Sequence, residues 1–192
     1  DESVQDTPIT TYDFHKLQAE NWLKFYTRQD WVEGISFRLT NVYGPGPKNS
    51  SSDRGILNLM IKKALNGEDL TVYGTGEYIR DYIYIDDVVV AFLSAPLYIN
   101  YSKGKHFVLG SGEGTTIHDA IYLVAELVGK QTGKDVIVKS IEPPLELKLI
   151  EFRNFIGDMK TLKNLELIRT INNLENGINK TLKYYLFGDQ SD

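Results

Sequence analysis

The sequence of 192 residues contains no cysteine. Without thiols the chain can form no disulfide, can hold no metal through thiolate ligands and can use no cysteine nucleophile. Such a composition is typical of a reducing compartment, and we predict a cytoplasmic location. No apolar run approaches the roughly eighteen residues that a membrane span needs, so we expect no membrane partner.

An excess of positive charge is lacking as well. The 21 Lys and Arg residues face 26 Asp and Glu residues, which gives a formal net charge of −5. This balance predicts no nucleic-acid partner, because nucleic-acid binding depends on clustered positive charge. It does not exclude a phosphorylated small ligand, since a few local Arg or Lys side chains suffice to bind phosphate.

Two further features are missing at the level of motifs. The chain begins Asp1-Glu2-Ser3 without a methionine, and we expect it to be a fragment or a processed product. No glycine-rich turn follows an opening strand, so the fingerprint that binds the phosphates of a dinucleotide is absent.

Hydrophobic periodicity predicts an alternation of helices and strands, and hence an α/β fold. Thr10 or Thr11 is expected to cap the first helix, and the paired acids Asp86 and Asp87 are expected to cap another rather than to bind metal. The predicted helices cover 12–30, 54–66, the segment after 87, 115–129, 158–164 and 173–186. The predicted strands cover 35–39, 70–73, 78–85, 106–109 and 136–141, with a loop over 41–53.

Tyr12 and Lys16 stand four residues apart on the first predicted helix and therefore share one face. A lysine ammonium beside a phenol favours the phenolate, so that a tyrosine can act as a general acid or base. The same spacing occurs in many helices without any function, and alone it favours an ordinary surface pair.

Two later segments carry groups suited to an anionic ligand. Asn41 follows a predicted strand and precedes a Gly-Pro turn, and its amide can donate to a phosphate oxygen. Arg80 lies on another predicted strand, and arginine suits bidentate binding of phosphate. Taken singly, the Asn41 segment favours a plain Gly-Pro turn, and the alternative interpretation of the Arg80 segment is an Arg80–Asp81 surface pair.

The three segments together resemble one family. Tyr-x-x-x-Lys at 12–16, Arg-x-x-Asn-x-Tyr-Gly-Pro-Gly at 38–46 and Gly-x-Gly-x-x-x-Arg-Asp-Tyr-Ile-Tyr-Ile-Asp-Asp at 74–87 occur in the order found in extended short-chain dehydrogenases/reductases. The nucleotide-sugar epimerases and dehydratases are the members that the chain most resembles. The resemblance implies the C-terminal part of that α/β fold, with 1–53 ending the NAD-binding Rossmann domain and 54–192 forming the substrate-binding lobe with interleaved Rossmann elements.

The resemblance also implies roles for the residues on the cofactor side. Tyr12 would be the catalytic acid/base for hydride transfer to and from NAD or NADP. Lys16 would favour its phenolate and hold the hydroxyls of the nicotinamide ribose. The backbone at Leu39 and Thr40 would lie against the nicotinamide, while the glycine-rich loop for the cofactor phosphates lies outside this chain.

On the substrate side, the resemblance assigns Asn41 and Arg80 to the pyrophosphate of a nucleotide sugar. Arg153 would contact the nucleotide phosphate or ribose, and Leu57 and the segment 70–73 with Tyr73 would form the nucleobase slot. The helix that carries Tyr12 would pack in a homodimer interface.

The chain departs from the family pattern between the tyrosine and the lysine, where Phe14 and His15 replace small residues. The residues that separate epimerases from dehydratases, decarboxylases and reductases lie mostly upstream of the chain, so the reaction outcome stays open. A non-catalytic module that binds nucleotide sugars is the alternative function. His106 and His118 are far apart with no third ligand at motif spacing, so no metal site is predicted.

Overall fold

The computed structural model describes residues 1–46, 55–144, 152–165 and 171–188. The helices in these ranges are α1 (Thr11–Arg28), α2 (Ile56–Leu65), α3 (Ile85–Ser94), α4 (Ile99–Ser102), α5 (Ile117–Thr132), α6 (Lys160–Asn164) and α7 (Leu174–Phe187), with a 3₁₀ turn at Ala95–Tyr98. The strands are β1 (Ser36–Leu39), β2 (Asn41–Tyr43), β3 (Leu70–Tyr73), β4 (Ile79–Tyr84), β5 (His106–Leu109), β6 (Gly114–Thr116) and β7 (Val138–Ile141).

Parallel pairing between distant strands defines the fold. β1 pairs with β5, β2 with β4 and β3 with β7, each in parallel, whereas β4 and β6 are antiparallel. Helices connect these strands, so the predicted α/β class is confirmed. In the described ranges no helix is long and apolar enough to cross a bilayer.

The first helix begins where the sequence places a capping residue. Thr10 Oγ1 accepts a hydrogen bond from the Asp13 backbone N–H at 3.1 Å, and Asp13 Oδ2 accepts from the Thr10 backbone N–H at 3.2 Å. This reciprocal capping box satisfies two backbone donors that would otherwise lack partners at the helix start. The start of α1, and with it the position of Tyr12, is therefore fixed locally.

β4 is the central strand, and its alternating side chains serve two cores. Tyr82 and Tyr84 face the larger core, while Ile83 faces the smaller one. The larger core also takes residues from β2, α2, β3, α5 and α7, and the smaller one from α3, β5 and α6. Because every residue from Arg80 to Tyr84 is buried, β4 is held from both sides.

Two short strands were not predicted. β2 lies where the sequence predicts a loop, and β6 lies at the end of a predicted turn. Both owe their extended form to pairing with β4, in which Asn41 aligns with Tyr82 and Thr115 with Arg80. Glycines and prolines nearby favour turns locally, and tertiary pairing overrides that preference. Residues 47–53 of the predicted loop lie outside the described residues.

The capping role predicted for Asp86 and Asp87 is wrong. α3 begins at Ile85, before both acids, with Tyr84 at the N-cap position and no side-chain capping bond, so that Asp86 and Asp87 lie within its first turn. The buried carboxylate of Asp87 instead accepts hydrogen bonds from the backbone N–H and the side-chain amide of Asn172, at 3.0 and 2.8 Å. Asp87 thus attaches the segment before α7 to α3.

The start of α7 is held by a tyrosine wedged against it. The Tyr43 hydroxyl donates to the Leu174 carbonyl at 3.2 Å, and a Cβ placed on Gly177 would lie 2.0 Å from that hydroxyl oxygen. Only glycine at 177 leaves room for the Tyr43 ring, which is itself buried in the larger core.

We expect Gly177→Ala to lower the free energy of unfolding by about 1–2 kcal/mol, because the clash with Tyr43 outweighs the better helix propensity of alanine. Urea denaturation followed by circular dichroism measures the change. Gly46→Ala is the matched control, since a Cβ there meets nothing within 4 Å. Equal midpoints for both variants would contradict this account of how α7 packs.

Candidate active site

Contacts along α1 show the direction of this helix relative to β1. Leu23 packs against Gly34, where an added Cβ would lie 2.8 Å from Leu23 Cδ1. One turn closer to the helix start, Glu20 Oε2 accepts from Arg38 Nε at 2.8 Å. The helix therefore runs antiparallel to β1, and its first turns lie towards the carboxyl end of the strand.

The neighbouring strand β5 gives the same orientation. Thr27 Cγ2 would lie 3.4 Å from a Cβ on Gly104, and Lys24 Nζ lies 2.9 Å from His106 Nδ1. The carboxyl ends of β1 and β5 thus point towards the first half of α1. In open parallel sheets this edge is where ligands bind.

Tyr12 and Lys16 occupy the exposed surface of those first turns. The Tyr12 side chain is 64% exposed, and Lys16 Nζ lies 5.5 Å from the centroid of its ring. This is the range of a cation–π contact. The predicted pair is therefore brought together at the sheet edge, with both polar groups accessible to a ligand.

A charged cluster fixes α1 on the sheet. Arg38 binds both oxygens of Glu20, at 2.8 and 2.9 Å, and both oxygens of Asp6, at 2.6 and 2.8 Å. Lys24 Nζ adds a contact of 2.5 Å to Glu20, and His106 Nδ1 lies 3.4 Å from the same carboxylate. This set was missed from the sequence, because its members lie on α1, β1, β5 and the N-terminal segment.

Opposing effects act on the Glu20 carboxyl, which is only 8% exposed. Burial alone would raise its pKa, but hydrogen bonds from Arg38 and Lys24 and the nearby positive charge outweigh burial and lower the pKa to about 2. The carboxylates of Glu20 and Asp6 in turn raise the pKa of the Arg38 guanidinium. The charged state of the cluster is therefore strongly favoured, and it anchors the helix that carries Tyr12.

Asp81 joins three segments near the same edge. Its Oδ1 accepts from the Ser111 backbone N–H and hydroxyl, each at 2.7 Å, and from the Thr40 hydroxyl at 3.3 Å. Its Oδ2 accepts from the backbone N–H groups of Gly157 and Gly112, at 2.9 and 3.1 Å. The residue is 0% exposed, so these five donors stand in for water.

Small residues allow the loops to approach this carboxylate. A Cβ on Gly110 would lie 2.4 Å from Asp81 Oδ2, and one on Gly157 would lie 3.1 Å from it. The sequence did contain a signal, namely the two adjacent charged residues Arg80 and Asp81 within a strand of otherwise aliphatic and aromatic residues. The interpretation of Arg80–Asp81 as a surface pair is wrong, because both side chains are buried.

Three of the predicted substrate-side residues meet at the start of β4. Asn41 Nδ2 donates to the Asp81 carbonyl at 2.9 Å, and Arg80 Nη1 donates to the Arg153 carbonyl. The Arg153 guanidinium lies over the Phe155 ring at 5.6 Å from its centroid. Arg80 is only 8% exposed, so a narrow part of its surface is open to a ligand.

The remaining predicted positions differ in accessibility. Leu39 is exposed and Thr40 half-buried at the carboxyl end of β1. Tyr73 ends β3 with 47% of its surface exposed, whereas Leu57 is 1% exposed within the larger core. The Leu57 side chain therefore supports the fold from inside and offers almost no surface to a nucleobase.

No group of three or more His, Asp or Glu side chains within the described ranges is arranged to hold a metal ion. The candidate site thus consists of a tyrosine and a lysine on a helix, a strand end and a pair of arginines. Its polar groups are suited to proton transfer and to binding an anion.

A comparison with family models shows the family of the chain. The model of the NAD dependent epimerase/dehydratase family matches residues 1–110, which is more than half of the chain. The chain belongs to this family. The resemblance found in the three motifs is therefore confirmed, and enzymes of nucleotide-sugar metabolism are its relatives.

Curated members of the family align over most of the chain. UDP-glucuronic acid decarboxylase 1 of Xenopus tropicalis is 29% identical over 178 residues, which cover 93% of this chain and 39% of that protein. The dTDP-4-dehydro-6-deoxyglucose reductase of Escherichia coli is 30% identical over 124 residues, covering 65% of this chain and 38% of the reductase. The chain thus spans about two fifths of the length of these relatives.

Solved structures of nucleotide-sugar epimerases share this fold over most of the chain. UDP-glucose 4-epimerase from Thermotoga maritima, solved with UDP-glucose, has a TM-score of 0.75 at 29% identity and covers 96% of this chain, which spans 59% of the epimerase. A UDP-N-acetylglucosamine 4-epimerase from Methanobrevibacter ruminantium shares the fold at a TM-score of 0.80 and 22% identity, with 96% of this chain and 56% of that one covered.

Because of the Glu20 cluster, we expect the free energy of unfolding to depend on pH in the acid range. Because the folded-state pKa of about 2 lies below the ordinary value of 4.5, the stabilisation is complete above pH 4.5 and is lost as the pH falls towards 2. Glu20→Gln should lower the free energy of unfolding by about 2–3 kcal/mol at neutral pH and by less in acid.

Urea denaturation at steps between neutral pH and pH 3 tests this dependence. Glu113→Gln, which removes a carboxylate from an exposed loop, is the matched control and should track the wild-type curve. A Glu20→Gln deficit that stays constant across the pH range would contradict the role given to the cluster.

Proposed function

We propose that this chain supplies the tyrosine–lysine acid/base pair and the substrate-binding lobe of an NAD(P)-dependent nucleotide-sugar epimerase or dehydratase. The observation that carries the proposal is the placement of Tyr12 and Lys16 at the carboxyl ends of β1 and β5, where Glu20 and Arg38 hold α1 against the sheet. Membership of the family supports the same reaction class.

Tyr12 and Lys16 perform the proton chemistry in this proposal. The bound nicotinamide supplies the acceptor and donor of hydride. The Tyr12 oxygen withdraws the proton of a sugar hydroxyl as that carbon is oxidised and returns it on reduction. Lys16, whose ammonium lies 5.5 Å from the centroid of the Tyr12 ring, would donate to the ribose hydroxyls of the cofactor. Both side chains fit this role because their polar groups are exposed on one helix face.

Leu39 and Thr40 complete the cofactor side. They lie at the strand end towards which the first half of α1 points, so their backbone is suited to lie along the nicotinamide. Within this chain, we propose that 1–53 ends the NAD-binding domain and 54–192 forms the substrate-binding lobe. The phosphates and adenosine of NAD or NADP would bind to a nucleotide-binding segment outside both parts. The match to roughly half of each related structure supports this division.

Asn41, Arg80 and Arg153 form the proposed pyrophosphate site. An amide and two guanidinium groups around the start of β4 suit a diphosphate, since arginine binds such oxygens through paired donors. Tyr73 presents an exposed ring for the nucleobase, and Leu57 supports that region from the core. The epimerase from Thermotoga maritima was solved with UDP-glucose, which supports a nucleoside-diphosphate sugar as the ligand class.

We further propose a homodimer through α1 and a cytoplasmic location. The last turns of α1 and the turn after it carry an exposed aromatic cluster of Trp22, Phe25, Tyr26 and Trp31, in which neighbouring ring centroids lie 5.6–6.3 Å apart. Aromatic surface of this kind favours burial against another subunit.

A binding module without catalysis is the alternative function. It would use Asn41 and Arg80 in the same way but would not depend on Tyr12 or Lys16. The relatives include a decarboxylase, a reductase and epimerases, all active on nucleotide sugars by name, and this favours the enzyme.

Turnover distinguishes the two functions. We expect the product of the full gene to convert at least one sugar in a panel of UDP-, dTDP-, GDP- and CDP-sugars with NAD or NADP. Tyr12→Phe should lower kcat by about 10²–10⁴-fold, because the proton donor and acceptor is lost while the ring remains.

Tyr26→Phe, which removes a hydroxyl from the other end of the same helix, is the control and should retain turnover. Equal activity of Tyr12→Phe and wild type would exclude Tyr12 as the acid/base. A complete lack of turnover on the panel would favour the binding module.

The 192-residue chain alone should catalyse no hydride transfer, because the reaction requires a positioned nicotinamide. It should still bind a nucleoside diphosphate weakly, with a Kd on the order of 1 mM for UDP. NADH absorbance and an NMR titration with UDP measure the two properties. Hydride transfer by the isolated chain would contradict the proposal that the phosphates and adenosine of the cofactor bind to a segment outside it.

A further inference from the structure

We propose that Asp81 is a positioning residue, whose buried carboxylate holds the cofactor-side and substrate-side groups of the site in register. The inference rests on the proposed function, since it concerns residues assigned there to the two ligands. Nothing in the three motifs or in the family match assigns a role to this side chain.

The Asp81 carboxylate cannot itself touch a ligand. It is fully buried, and its two oxygens already accept five hydrogen bonds from protein donors. A carboxylate in this position acts through the groups that it holds. It is therefore not a catalytic residue.

The five donors belong to three separate parts of the chain. Thr40 stands at the carboxyl end of β1, on the proposed nicotinamide side. Ser111 and Gly112 begin the loop after β5. Gly157 lies four residues after Arg153, in the segment that carries the proposed phosphate contact. One side chain thus connects both sides of the site.

The main chain of Asp81 extends this connection to ligand-facing groups. Its carbonyl oxygen accepts from Asn41 Nδ2 at 2.9 Å. The preceding residue is Arg80, whose guanidinium donates to the Arg153 carbonyl. A shift of β4 at this point would therefore move an amide and a guanidinium of the proposed diphosphate site together.

Replacement by asparagine removes this arrangement without changing the shape of the side chain. All five partners are donors, three on Oδ1 and two on Oδ2. The amide NH₂ of asparagine can take the place of either Oδ1 or Oδ2. In both positions it presents donors to groups that themselves donate. At least one of the loops at Ser111 and Gly157 must then move away from β4.

The test uses the 192-residue chain with UDP as the probe and a ¹⁵N NMR titration as the readout. Asp81→Asn is compared with wild type at a temperature where circular dichroism shows both to be folded. We expect the Kd for UDP to rise at least about fivefold in the folded variant, because small displacements of binding groups are costly. In the absence of UDP, the side-chain NMR signals of Asn41 and Arg80 should already differ in position between Asp81→Asn and wild type.

Two milder variants keep the test decisive where Asp81→Asn does not fold. Ser111→Ala and Thr40→Val each delete one hydroxyl donor and leave the carboxylate in place. Both should shift the Asn41 side-chain signal and weaken UDP binding, and Ser111 makes no proposed contact with UDP. Asp86→Asn, which neutralises an exposed aspartate next to the same strand, is the matched control and should bind UDP as wild type does.

The outcomes separate this inference from the proposed function. Weaker UDP binding by folded Asp81→Asn, together with shifted Asn41 and Arg80 signals, supports the positioning role. Unchanged affinity in all folded variants overturns it and leaves the proposed function standing. Failure of the wild-type chain to bind UDP overturns the assignment of the diphosphate site, and the inference with it.

Discussion

A single buried carboxylate sets the geometry around which the rest of the molecule is arranged. Asp81 lies in the middle of the most buried strand, where five protein donors take the place of the water that its carboxylate loses. That requirement determines the course of the loop at Gly110–Gly112 and of the segment at Gly157, where a larger residue would displace the carboxylate. The two cores on either side of β4 then pack against a strand whose position is already fixed.

A second electrostatic constraint, centred on Glu20 and Arg38, acts on α1. The hydrogen bonds to Asp81 position the ends of the strands. The contacts between Glu20 and Arg38 position the helix that faces those ends. Both consist of charged groups with several partners each, so their directional bonds specify orientation more narrowly than apolar packing does. The candidate site lies between the two constraints, and it combines exposed side chains such as Tyr12 and Tyr73 with the buried Arg80.

Local signals in the sequence predicted much of the fold. Thr10 before an amphipathic segment predicted α1, whose start is fixed by a local capping box, and a segment rich in Tyr and Ile predicted β4. β2 and β6 escaped prediction because their extended form comes from pairing with β4, which sequence periodicity cannot reveal. The motif residues Tyr12, Asn41 and Arg80 could be named from the sequence alone. The roles of Asp81 and Glu20 could not be predicted, since they depend on partners distant in sequence, such as Gly157 for Asp81 and Arg38 for Glu20, which lie 76 and 18 residues away.

The long-range character of these contacts also bears on how the chain acquires its structure. Lys24 on α1 meets His106 on β5, a partner 82 residues later. Contacts at such separation close large loops and slow folding, because the entropy of closure is lost before the contacts form. During synthesis, α1 with its exposed aromatic rings would emerge from the ribosome well before β5 exists to complete the sheet beneath it. Until β5 has been made, the face of α1 that packs on the sheet has no complete surface to pack against.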